Sequence, residues 1–370
     1  MNARIGVGIV GVHPSRGWAT AAHLPALRAS RDFSVVAVSN PSINIAREAA
    51  TQFEAAHAFD NLDDLVNCAA VDLVVITVKV PYHFELVSGV VRAGKSVFCE
   101  WPLGNGLQEA MELERLARDR AVRTFVGLQS RASAELRFAR DLSRDNYVGD
   151  VLSASLVGSG IIGGAEIPDA FKYTLDPANG AGMLNVAFAH AIDSVCYALD
   201  DSFEDVVATL HQRRMTARVS GSGETVPMRT PDQITVAGAL RGGPVVSAHY
   251  RGGMSRGTNY QLEINGSRGD LILTGSLGYP GVGDTTVRGG QGADSTLHDL
   301  ALPDAYRGDS SLVGPARNVM HQYSSIAADL YNGTAEAPSF VDALHLHRLI
   351  HSIEQSASTG VRQHLPIEEQ

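Results

Sequence analysis

The first third of the chain alternates between short apolar runs and stretches whose apolar residues recur every three or four positions. Apolar runs fall at 4–11, 33–38, 71–78, 97–99 and 124–128. The third is continuous and β-branched, as a strand buried on both faces requires. Helical spacing fills the gaps: Ala21, Ala22, Leu24 and Leu27, then 46–53, a short helix from 62–66, 84–93 closed by Gly94, and the long amphipathic 107–120. Strands alternating with helices of this length predict a parallel sheet covered on both faces. Past Gly149 and Asp150 the rhythm changes. Runs at 151–157, 206–213, 233–240, 245–250, 260–265 and 270–274 are longer, and several alternate with period two, as in Tyr260, Leu262 and Ile264. That pattern predicts a largely antiparallel sheet with one face on helices. The spacing predicts helices at 182–199, 318–332 and 342–357, and the Gly-, Asp-, Ser- and Thr-rich stretch 275–311 reads as long loops. The expected fold class is α/β followed by α+β. Residues 1–128 form a doubly wound domain, and residues 129–370 a second domain with a large, mostly antiparallel sheet and the C-terminal helices.

Composition narrows the function classes. The formal charge of −10 argues against direct nucleic-acid binding, because an acidic chain gains nothing from counterion release at phosphates. No run of about eighteen apolar residues predicts a membrane span. Met1 to Arg4 lead straight into a strand, without the order of a signal peptide. Cys68, Cys99 and Cys196 are odd in number and lack metal-like spacing, so they read as buried thiols in a reducing compartment. A cytoplasmic protein is expected. His345, His347 and His351 cluster near the C-terminus, but no Glu or Cys completes a ligand set, so they read as a helix face and no metal site is expected.

The candidate chemistry begins at the first strand. Gly6, Gly8 and Gly11 match G-x-G-x-x-G, but Gly6 and Gly8 lie inside the strand, whereas the phosphate fingerprint needs its glycines in the turn after it. The turn expected to hold a pyrophosphate therefore runs from Gly11 through His13 and Gly17 to Trp18, its N–H groups and the following helix facing the phosphates. The second strand ends in Ser39, Asn40, Pro41 and Ser42, without the carboxylate that usually binds the ribose of NAD. NAD and NADP both stay open, with a lean to NADP through donation from Ser39, Asn40 and Ser42. The third apolar run leads to Thr77, Val78, Lys79 and His83. The strand at 97–99 ends in Glu100, Trp101 and Pro102.

This layout resembles the glucose–fructose oxidoreductase, inositol dehydrogenase and rhizopine-catabolism (Gfo/Idh/MocA) family. There the segment reads Glu-Lys-Pro and its lysine sits between cofactor and substrate; here the middle residue is Trp101. The family also carries Asp-x-x-x-His on a helix, and His190 matches that histidine, followed by Asp193. Val186 stands where the family aspartate is expected. The Glu-Trp pair, the Gly11–Gly17–Trp18 turn, Lys172-Tyr173 and the turn from Gly266 to Leu271 are similar to a branch of the family that contains fungal galactose-regulon repressors. The resemblance implies a Rossmann domain, cofactor contacts from Thr77, Val78, His83, Glu100, Trp101, Pro102 and Gln129, and a sugar or polyol-like substrate. It implies hydride transfer with His190 as proton donor, and Lys79, Lys172 or Tyr173 supplying what Trp101 cannot. Arg131 or Lys172 could hold a substrate hydroxyl or carboxylate. His190 is alternatively a core histidine bonded to Asp193 or to a backbone carbonyl. The second functional expectation is a non-catalytic, dinucleotide-binding regulator of a protein partner. A homodimer or homotetramer, joined through an apolar open sheet face, is also implied.

Overall fold

The computed structural model describes residues 3–308 and 312–366; the first two residues, the last four and the end of the 275–311 stretch lie outside the description. The chain forms two compact units, Met1–Gln129 with Ser310–His345, and Ser130–Asp309 with Leu346–Gln370.

The first unit is a Rossmann sheet. Its strands are β1 (Ile5–Val10), β2 (Phe33–Ser39), β3 (His57–Phe59), β4 (Leu73–Ile76), β5 (Ser96–Glu100) and β6 (Thr124–Gly127), all parallel, in the order β3-β2-β1-β4-β5-β6. Every residue of β1 and β4 is buried, which is why both read as continuous apolar runs. The strand order reverses at β1 and β4, and ligands of such sheets bind at the carboxyl ends there. The connecting helices are α1 (Leu24–Ala29), α2 (Ile43–Phe53), α3 (Leu62–Asn67), α4 (His83–Arg92) and α5 (Leu107–Asp119). Gly6 and Gly8 lie within β1, and a Cβ on Gly6 would sit 1.9 Å from the Ala70 carbonyl oxygen. These glycines admit a neighbouring chain segment, not a phosphate. The helix Gly314–Asn332, grouped by sequence with the second half, instead covers this sheet, its Val319, Tyr323, Ile326 and Ala327 entering a core with Leu24, Phe33 and Phe98. Its apolar stripe says that it is covered but not by which sheet.

The second unit has a nine-stranded sheet. Its strands are β7 (Val151–Gly160), β9 (Asp205–His211), β12 (Gln233–Ala239), β13 (Val245–Gly252), β14 (Tyr260–Gly266), β15 (Gly269–Gly275), β16 (Thr285–Gln291), β17 (His298–Asp299) and β18 (Gln363–His364). Of these, β7 and β13 pair in parallel and the other neighbours are antiparallel. One face rests on helices α6 (Ala134–Arg144) and α7 (Ala189–Leu199). The stretch read as loop holds β16, β17 and a helical turn at Asp304–Arg307. Glycine misled the pattern there: a Cβ on Gly289 would lie 2.8–2.9 Å from Tyr147, Leu271 and Leu300, so this glycine marks close packing inside a strand. A separate sheet of β8 (Glu166–Pro168), β10 (Thr216–Ser220) and β11 (Thr225–Pro227) covers a small core of Ile167, Leu175, Val219, Val226 and Met228. Its strands are too short for alternation to be legible. The open face of the large sheet differs from the apolar surface expected. One register row crosses Val207, Ala237, Ser247, Ser155 and Glu263, and the next Thr209, Thr235, His249, Val157 and Gln261.

Candidate functional site

In the first unit the carboxyl ends of β1, β2, β4, β5 and β6 gather the residues expected at a dinucleotide. Gly11 has φ +93°, its N–H donates to the Ser39 carbonyl at 2.9 Å, and a Cβ would lie 2.7 Å from Val78. Only glycine fits there. His13 and Arg16 bridge across the turn, and His13 Nδ1 accepts from the Ser15 N–H. Gly17 has φ +94° and open space where a Cβ would stand. A π-helical turn, Ala19–His23, then runs into α1; such turns recur at functional sites. Trp18 Nε1 and Gln129 Oε1 are buried without a hydrogen-bond partner. A cradle at Gly17 and two orphaned polar atoms in one unit fit a dinucleotide, since buried polar groups are ordinarily satisfied.

Other expected contacts have internal tasks. Asn40 Nδ2 donates to the Val12 carbonyl at 2.9 Å and its Oδ1 accepts from the Ser42 N–H at 3.0 Å, so both ends of this amide are engaged. Ser39 is buried and its hydroxyl donates toward the Asn61 carbonyl. Thr77 Oγ1 donates to the Val10 carbonyl at 2.8 Å, closing β4 onto β1. Lys79 is exposed. His83 is buried, with Nδ1 2.7 Å from the Pro102 carbonyl oxygen and Nε2 3.0 Å from that of Val78. Burial lowers its pKa against the opposing pull of these carbonyls, and the neutral ring, with one N–H, donates to only one of them. Trp101 is 6 % exposed and precedes a cis peptide to Pro102. Glu100 Oε1 lies 2.9 Å from His23 Nε2, and His23 Nδ1 lies 2.8 Å from the Tyr323 hydroxyl. A Cβ on Gly127 would meet the Glu100 carboxylate at 2.7 Å, so the carboxylate is seated against backbone. This Tyr323–His23–Glu100 chain had no signal in the sequence, its members lying far apart along it.

In the second unit a π-helical turn, Leu184–Phe188, leads into α7 and brings His190 to its first turn. His190 is 2 % exposed, and its Nδ1 is buried with no hydrogen-bond partner. Its ring stacks on Tyr279, centroids 4.5 Å apart and planes 15° from parallel. Burial alone pushes its pKa down to about 3, so the imidazole is neutral at physiological pH. It is not a core histidine bonded to Asp193. Asp193 is paired with Arg131, whose Nη2 is 2.7 Å and Nε 3.0 Å from the two carboxylate oxygens. Arg131 is thereby engaged by Asp193 through Nε and Nη2. The Lys172 ammonium bonds both oxygens of Glu224 at 2.9 and 2.8 Å on the small sheet, and these partners are about half exposed. Tyr173 is part-buried and burial raises its pKa, so the phenol keeps its proton. Tyr279 was missed because it stands in a Gly-Tyr-Pro-Gly stretch, which reads as a turn. Among the described residues no three His, Cys, Asp or Glu side chains gather as a metal set. Cys99 is buried, while Cys68 and Cys196 are part-buried.

The depressed pKa has a consequence for stability. An unfolded His190 binds a proton near pH 6.5 and the folded one does not until about 3. The unfolded state therefore holds more protons in that window, and stability falls as pH drops through it. Urea unfolding at stepped pH is expected to show a loss of stability below about pH 6.5 that is smaller in His190→Gln.

Comparison with known proteins covers both units. A model of the oxidoreductase family with an NAD-binding Rossmann fold (GFO_IDH_MocA) matches residues 5–128, and a model of the Gal80p C-terminal domain matches residues 135–275. The chain is 29% identical to the galactose/lactose metabolism regulatory protein GAL80 of Saccharomyces cerevisiae, over 97% of this chain and 94% of that protein. It is 24% identical to 1,5-anhydro-D-fructose reductase of Ensifer adhaerens, over 72% of this chain and 76% of that one. The crystal structure of a super-repressor mutant of Gal80p from Saccharomyces cerevisiae superposes with a TM-score of 0.89 at 26% identity, covering 98% of both chains. With a Rossmann model of the Gfo/Idh/MocA family on the first unit and a Gal80p model on the second, the chain is similar to that family near its Gal80 branch.

Proposed function

We propose that the protein is an NAD(P)-dependent oxidoreductase that acts on a C=O or CH–OH group of a sugar or polyol-like substrate, with His190 as a neutral hydrogen-bond donor to the reacting oxygen. The observation that carries this reading is a buried, neutral imidazole whose Nδ1 has no partner inside the protein. A buried polar atom without a partner costs about 1–3 kcal/mol, and a ligand oxygen would relieve that cost. Neutral imidazole polarises a carbonyl without giving up a full proton, a role known elsewhere for a histidine with a lowered pKa, and the alkoxide left by hydride addition takes its proton from a second donor or from water. Tyr173, which keeps its proton, supports a second donor better than Lys172, whose ammonium is held by Glu224.

The dinucleotide is assigned to the turn Gly11–Trp18, with Thr77, Val78, Trp101, Pro102 and Gln129 around the nicotinamide end; when bound it supplies or accepts a hydride. NAD is preferred over NADP, because the Asn40 amide that would serve a 2′-phosphate is engaged at both ends. The reductase of an anhydro-sugar among the relatives supports the substrate class. Among the described residues no helix is long and apolar enough to cross a membrane, and a cytoplasmic homodimer or homotetramer is part of the reading. Light scattering tests the oligomer.

A second reading, a dinucleotide-responsive regulator that binds a protein partner, is favoured by Trp101 and Val186 in place of the family Lys and Asp and by the whole-length likeness to GAL80. Fluorescence titration with NADH and NADPH, followed by a panel of keto-sugars, aldehydes and polyols read at the reduced-nicotinamide band, separates the two. Binding with turnover supports the enzyme. Binding without turnover on any member overturns it in favour of the regulator. Gly17→Ala is expected to weaken NADH binding tenfold or more, since its Cβ fills the open cradle, and to lower stability by about 1 kcal/mol through its positive φ. Unchanged NADH affinity would remove the turn from the site.

A further inference from the structure

Tyr279 lies in a segment held from several sides. The Tyr250 hydroxyl donates to the Gly278 carbonyl at 3.1 Å and Ser130 Oγ to the Pro280 carbonyl at 2.7 Å, fixing the backbone on either side of it. Asn259 Nδ2 donates to the Ser276 carbonyl at 3.1 Å, and Ser276 and Asp284 exchange two further bonds. Tyr250 is wholly buried, and glycines make room for it. A Cβ would come within 2.3 Å of it at Gly158, 3.0 Å at Gly160 and 2.0 Å at Gly278. The phenol also meets Phe188 edge-on, 6.0 Å between centroids, two residues before His190. The packing that seats Tyr250 thus reaches both the tyrosine that stacks on His190 and the turn that carries His190.

We infer that Tyr279 is a positioning residue that covers one face of His190 and fixes its plane, so that the site meets its ligand through the ring edge and takes an uncharged hydroxyl or carbonyl oxygen. A covered face leaves no room there for a planar ring to stack, and an edge with an unpartnered nitrogen calls for a hydrogen-bonding atom in the imidazole plane. The neutral state of the ring fits an uncharged ligand. The surrounding groups leave that state undisturbed: Asp193 is balanced by Arg131, and burial holds the phenols of Tyr250 and Tyr260 protonated. The ligand class rests on the proposed function. The hold of Tyr279 on the ring does not, and it is tested separately.

The test is NMR titration of histidine-labelled full-length protein, with the His190 signal assigned by its loss in His190→Gln. In wild type and in Tyr279→Phe, which keeps the stacked ring, the signal is expected to stay neutral from pH 8 to about 5. In Tyr279→Ala water reaches the uncovered face, and the midpoint is expected to rise to within about one unit of 6.5. Tyr250→Phe removes only the hydroxyl bonded to Gly278 and is expected to raise the midpoint part of the way. It also serves if the alanine variant does not fold. A His190 signal that stays neutral to about pH 5 in every folded variant would overturn the inference. The readout needs neither cofactor nor turnover, so it stands apart from failure of the oxidoreductase reading. If the titration behaves as expected and no substrate is turned over, the positioning role survives and the enzyme does not.

Discussion

Replacing His190 by alanine is expected to lower kcat by about 10²-fold or more while leaving the affinity for NADH within a factor of about two. His190 is not among the residues to which the dinucleotide is assigned, so cofactor binding and turnover are read separately. The expected magnitude is that of one positioned hydrogen-bond donor at an oxygen that gains charge. Because the ring is neutral, asparagine retains more activity than alanine, since its amide offers a donor without a charge. The pH profile makes the same point. His190 protonates near pH 3, so turnover should show no acid limb at the ordinary histidine value of about 6.5 that vanishes in His190→Asn. Equal turnover of wild type and His190→Ala would remove His190 from the chemistry.

Asp193→Ala destabilises the protein by about 3 kcal/mol. The carboxylate is 3% exposed and the guanidinium beside it 20%. Removing the carboxylate strands a cation that is largely cut off from water, and a stranded partner costs more than the pair is worth. Arg131→Leu combined with Asp193→Leu should recover much of the loss, because neither charge is then left unpaired. Urea unfolding of Arg131→Leu, Asp193→Leu and the double variant measures the coupling. Additive losses would mean that the pair is a surface ornament in solution.

The Rossmann half was legible because its strands are buried on both faces and its helices are long enough to show their period. The position of the turn after β1 was also legible, since Gly6 and Gly8 fall inside an apolar run whereas Gly11 and Gly17, both at positive φ, flank polar residues. His190 was singled out only through a resemblance, because a single histidine on a mostly buried helix carries no periodic signal of function. What stayed hidden depends on distance. Arg131 and Asp193 are 62 positions apart, and His23 and Tyr323 are 300 apart. No local pattern joins such residues. Tyr279 and β16 were hidden for another reason. Glycine there allows close approach of neighbouring groups, and close approach has the same composition as a loop. The helix Gly314–Asn332 shows the remaining gap: amphipathicity says that a helix is covered and not by what.

The central claim, hydride transfer to a substrate oxygen-bearing carbon, is tested most directly with NADH carrying deuterium at the transferable position. The protein is incubated with this cofactor and the keto-sugar panel, and products are read by mass spectrometry. The account predicts an alcohol product one mass unit heavier, formed by wild type and depleted about 10²-fold with His190→Ala. Tight binding of the labelled cofactor with no heavy product from any carbonyl would contradict it, and would leave the protein as a dinucleotide-responsive regulator.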